Sequence, residues 1–125
     1  MRIILLAAGL AISSMASAQD LRAESQSLLE DYGKLPPDKQ SILNDAMTHY
    51  VLRIYRPDGS EVRSAQGDEL KTLAWYELTC DRNVLDEFRN DRVRSAAGIA
   101  KKKIDCIRAS FQANAAPYTA QLSYN

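Results

Sequence analysis

The sequence predicts an all-α fold, a small bundle of four or five helices stapled by one disulfide, Cys80–Cys106. Three observations carry that expectation. Apolar residues recur at helical spacing in four stretches beyond residue 18. Those stretches are separated by Gly-, Pro- and Asn-Asp-containing breaks. The only two cysteines fall in the third and fourth of them.

Residues 1–18, MRIILLAAGLAISSMASA, stand apart from the fold. A basic start, an uncharged run over 3–12 and a small-residue end at Ala16-Ser17-Ala18 give the layout of a cleaved secretory signal peptide. The apolar run is about half the roughly 20 residues a membrane span needs. The residue after the expected cut is Gln19, which has no thiol for lipid attachment. The exported chain then has 107 residues, enough for one domain. Only 22 of these are Leu, Ile, Val or Phe, so the core is thin and a staple is useful. An oxidising compartment and an even cysteine count point to pairing. The bridge closes a loop worth about 3.5 kcal/mol in the chain-entropy picture. No Asn-x-Ser/Thr sequon is present, which favours a bacterial periplasm over a eukaryotic secretory route.

The helical domain is expected over 19–113. Leu21, Ser25, Leu28, Leu29 and Tyr32 form the first short helix, ended by Gly33 and the Pro36-Pro37 break. The second begins at Pro37 and carries Ile42, Leu43, Ala46, Met47, Tyr50, Val51 and Ile54 on one stripe. Leu52 and Tyr55 fall off that stripe, so the last turn is apolar on two sides. The competing reading makes Tyr50–Tyr55 a strand and 50–64 a short hairpin, with Arg56-Pro57-Asp58-Gly59 as its turn. Helix followed by turn is preferred, because the return arm 60–64 has only Val62 to pack. The third helix starts at Asp68-Glu69 and runs to about Arg89, with Asp91 as the N-cap of the next. The fourth places Val93, Ala96, Ala97, Ala100, Ile104, Ile107 and Phe111 on one face, with Ile99 and Cys106 together on another. It should therefore be covered twice, with Gly98 permitting a close approach. Residues 114–125 are expected to be a loose C-terminal tail.

The formal net charge is zero, but it is a cancellation. Residues 19–91 carry −6 and residues 92–125 carry +5. Arg94, Lys101 and Arg108 recur every seven residues and form one basic ridge on the last helix, suited to an acidic partner or an anionic lipid surface. Export and the near-neutral total disfavour nucleic acid.

Candidates for chemistry are few. Glu77 and Asp81 lie one turn apart in the middle of an apolar stripe, where two carboxylates can share a proton or act as acid and base. The plainer reading makes Asp81 the N-cap of a separate helix after a bend at Cys80, and pairs Glu77 with a basic residue of the last helix. His49, the only histidine, has Asp45 one turn before it, as a carboxylate orients a catalytic histidine. No hydrolase, metalloprotease, dinucleotide or phosphate-loop motif is present, and neither cofactor nor metal is implied. Trp75, Leu52 and Tyr55 are surplus to so small a core and read as a partner surface, together with the basic ridge. The leading functional expectation is a small exported non-enzymatic binding protein: a periplasmic inhibitor, immunity-type or accessory factor for another protein. The alternatives are a small secreted enzyme built on the carboxylate pair and an envelope-surface or stress protein docking anionic lipid.

Overall fold

Four helices and a two-stranded sheet follow one another along residues 18–125, which are the residues the computed structural model describes. The signal-peptide expectation falls on 1–17 and lies outside them, save that Ala18 opens the first helix. The order is α1 (Ala18–Gly33), α2 (Pro37–His49), β1 (Tyr50–Tyr55), α3 (Gly67–Arg89), α4 (Ala96–Ala113) and β2 (Thr119–Tyr124). The fold is mostly helical but not purely so.

The sheet corrects two expectations at once. Tyr50–Tyr55 is a strand, not the end of α2, and its partner is the segment expected to be a loose tail. β1 and β2 pair antiparallel, with Leu52 opposite Leu122 and Ile54 opposite Ala120. The β-branched and aromatic residues of 50–55 suit a pleated, half-buried surface, and β2 supplies the apolar pairing that 60–64 could not. The turn at 56–59 does form, with Gly59 N donating to Arg56 O at 2.9 Å and Gly59 at φ +89°. Beyond it the return arm makes only one isolated bridge, Tyr55 to Glu61.

Helix ends follow local chemistry. α2 starts with Pro37, whose missing N–H is harmless in a first turn. α3 is continuous through Cys80, so Asp81 is not an N-cap. Asp91 is not one either: it adopts φ +60° immediately after α3. Arg92 N donates to Glu87 O and Asp91 N to Phe88 O, the paired bonds of a left-handed helix stop. α4 is instead capped by Ser95, whose Oγ accepts from Gly98 N at 2.9 Å. Lys39 of α2 reaches across to the C-terminal end of α3, where its Nζ donates to Phe88 O at 2.7 Å and to Asp91 Oδ1 at 2.9 Å. A cation at that end is favoured by the helix dipole.

Two apolar clusters make up the core, and α3 and α4 run through both. One joins α1 and α2 to the C-terminal half of α3 through Leu28, Leu43, Leu85 and Phe88, closed by Val93 and Ile99. The other joins α3 and α4 to the sheet through Leu73, Ile104, Ile107, Phe111 and Ala120. The fourth helix enters both clusters, the first near its start through Ile99 and the second further on through Ile104, Ile107 and Phe111. Cys80 and Cys106 form the expected bridge, with Cα atoms 5.6 Å apart, and Cys80 is fully buried. Gly98 makes a close approach, but not to the segment carrying Cys80: a Cβ there would lie 2.6 Å from Val93 Cγ2.

Candidate functional site

At the seam between the two clusters lies a cavity of about 440 Å³. That volume is within the roughly 300–1,000 Å³ typical of small-ligand sites. α1 contributes Leu28, Leu29 and Tyr32, and α2 contributes Leu43, Ala46 and Met47. Leu52 and Leu122 close it from the sheet, and α3 and α4 supply the remaining wall. Two of its lining residues, Leu29 and Met47, are 64 % and 60 % exposed. They make up half of the large exposed apolar side chains among the described residues, the other two being Leu70 and Tyr124. Exposed apolar side chains grouped at a concavity mark binding surfaces, whereas single ones do not.

Arg82 on α3 holds α1 in place for this geometry. Its guanidinium donates to Asp31, to Ser27 Oγ at 3.2 Å and to Glu24 Oε1 at 3.4 Å.

The polar part of the wall is a triad. Lys103 Nζ donates to Glu77 Oε2 at 3.0 Å and sits 3.0 Å from Asp81 Oδ1. Glu77 and Asp81 share a helix face because they are four apart, and Lys103 meets them from α4. Burial pushes the Asp81 carboxyl above its ordinary value, and Glu77 adds to that, although Lys103 works against it. Burial alone would lower Lys103, but the two carboxylates outweigh it and hold its ammonium above the ordinary lysine value. Tyr32 belongs to the same environment: burial, with the Asp81 charge second, raises its phenol. The residues pair as a partly exposed ion cluster and not as an unneutralised carboxylate dyad. Among the described residues no group of three or more His, Cys, Asp or Glu side chains could hold a metal.

The other sequence candidates sit elsewhere. His49 Nε2 is 3.3 Å from Asp45 Oδ1, as the spacing suggests, and Nδ1 is 3.2 Å from Asn125 O. The ring stacks on Tyr124 at 5.7 Å. This pair fastens the end of α2 to the end of β2, and neither residue lines the cavity. Each residue of the basic ridge is exposed and engages a partner of its own. Arg94 precedes α4 and donates to Asp91 O, and Lys101 pairs with Asp105 at 2.8 Å. Arg108 donates twice to Ala120 O, at 2.8 and 3.1 Å, and so latches β2 onto α4. Of the proposed aromatic and apolar surface, Leu52 lines the cavity. Tyr55 is half-buried opposite Thr119, and Trp75 is half-buried on α3 away from the cavity wall.

Three residues of the site escape the sequence reading: Tyr32, Leu29 and Met47, which look like ordinary helix-stripe residues. The available signal is an excess of apolar positions on α1 and α2 over what two short helices can bury.

Comparison of the chain with protein-family models, curated proteins and solved structures gives no match. Among the described residues no helix is long and apolar enough to cross a membrane.

Proposed function

We propose that this chain is a small exported binding protein without a catalytic role, an accessory or inhibitor-like factor that receives an apolar group of what it binds in the α1–α2–α3 cavity. The observation that carries the reading is an apolar cavity with two exposed apolar side chains, Leu29 and Met47, among its lining residues. The disulfide agrees with export, since such bridges persist in oxidising compartments. The ion cluster supports binding over catalysis: a lysine held by two carboxylates is neutralised and positioned, which suits recognition better than proton transfer.

Titration with N-phenylnaphthylamine, an uncharged fluorophore that brightens in apolar sites, tests this reading. Saturable one-to-one binding is expected, weakened at least about tenfold by Leu29→Asp or Met47→Asp. Both positions are exposed, so the variants should melt like the wild type. Absence of saturation, or affinity unchanged in both variants, contradicts the proposal.

A second reading, acid–base catalysis by Asp81 and Glu77, draws on one observation: both carboxylates reach the cavity wall. It requires a turnover that Asp81→Asn and Glu77→Gln each abolish. Turnover unaffected by either variant removes it.

A further inference from the structure

We propose that the ligand of this cavity is a small amphipathic cation, a hydrocarbon body carrying one ammonium head. The inference rests on the binding reading above and adds the chemistry of what is bound.

The body follows from the wall. Leu28, Leu43, Val84, Leu85 and Phe88 present hydrocarbon to the space. A volume of about 440 Å³ falls in the lower part of the roughly 300–1,000 Å³ range of small-ligand sites. That accommodates an alkyl chain of moderate length and is too small for a helix of a partner protein.

The head follows from charge and from lone pairs. Among the described residues the charged side chains on the wall are Glu77, Asp81 and Lys103, two carboxylates against one ammonium. The wall therefore carries a net negative charge. Lys103 engages Glu77 Oε2 and Asp81 Oδ1. Among the described residues no hydrogen bond is made to the second oxygen of either carboxylate, whose lone pairs can take another donor. An incoming ammonium brings three N–H donors and no acceptor, which matches those oxygens. An anionic head would face both carboxylates and compete with them for a lysine they already hold. A neutral hydroxyl head could bond there but would gain nothing from the excess negative charge. Taking the cation out of water is compensated because the two carboxylates lie together beside an otherwise apolar space.

Isothermal titration of the disulfide-bonded protein with decylammonium, decanol and decanoate at neutral pH, each below its aggregation concentration, tests the inference. Decylammonium should bind about ten- to hundredfold more tightly than decanoate, the range expected for hydrogen bonds to charged groups. Glu77→Gln should weaken decylammonium about tenfold and leave decanol unchanged. Glu77 is half exposed, so this variant should retain the wild-type melting temperature, recorded alongside. Glu77→Gln combined with Asp81→Asn leaves the lysine in excess and should reverse the preference toward decanoate. Decylammonium binding no tighter than decanol or decanoate overturns the inference and leaves the binding reading standing. No binding by any of the three overturns both.

Discussion

Replacing Lys103 with Met removes the one cation on the cavity wall among the described residues while keeping a flexible side chain of comparable length. The loss can be worked from the two contacts. Asp81 keeps 20 % of its side-chain exposure and Lys103 keeps 25 %, so their contact lies between a surface pair and a fully buried one. A hydrogen bond to a charged group of that kind contributes about 1.5–3 kcal/mol. The Glu77 arm is half exposed and adds at most about 0.5 kcal/mol. The expected destabilisation at neutral pH is therefore about 1.5–3.5 kcal/mol. Its pH dependence has a defined sign. Asp81 titrates above its ordinary value, so its ionised form works against folding, and that penalty fades as pH falls through the folded value. Without Lys103 the carboxyl rises further and the penalty grows. Lys103, also raised, keeps its charge throughout this range and loses its contribution only in strong alkali. The difference between wild type and variant should be complete near neutrality and should shrink as the pH approaches about 4, near the unfolded carboxyl value. Urea unfolding with the disulfide intact, at neutral and at acidic pH, measures it. A loss below about 1 kcal/mol at neutral pH, or one of equal size at both pH values, refutes the ion-cluster account.

Removing the bridge with Cys80→Ala and Cys106→Ala should lower unfolding free energy by about 3–4 kcal/mol, given the separation of 26 residues; denaturant titration showing a loss under about 1 kcal/mol contradicts it. Gly98→Ala should destabilise by about 1–2 kcal/mol despite its gain in helix propensity. The added Cβ meets buried Val93 and the capping Ser95 hydroxyl, and a raised melting temperature would contradict this. Ala115→Gly should stabilise by about 0.5–1 kcal/mol. Ala115 occupies the left-handed stop of α4 at φ +51°, and a lowered melting temperature would show that position to be unstrained.

Local patterns make the helices legible. The cores of α2, α3 and α4, the Pro37 start, the turn at 56–59 and the Cys80–Cys106 pairing all rest on residues close in sequence or on composition. The sheet is not legible in that way. Tyr50–Tyr55 gains its partner from 119–124, about seventy residues later, and a local reading sees only the weak arm at 60–64. The tail looks polar and small because β2 buries chiefly Ala120 and rests on the Arg108 latch. Asp91 resembles an N-cap by type, yet the chain uses it to end α3, and Ser95 does the capping. For the site, the Glu77–Asp81 spacing is visible, but its neutralisation by Lys103 depends on how α4 docks on α3. The cavity depends on α1, α2 and the sheet lining one space from positions far apart in sequence, which the pattern within either helix does not encode.

Methyl-resolved NMR of the protein titrated with decylammonium tests most directly whether the seam between the two cores is a binding site. Saturating shifts and ligand contacts should concentrate on the methyls of Leu29, Leu43, Met47 and Leu122, with the Lys103 side chain moving in step. Shifts that never saturate, or that gather instead around Arg108, Tyr118 and Gln121, which line a separate concavity, would contradict the account.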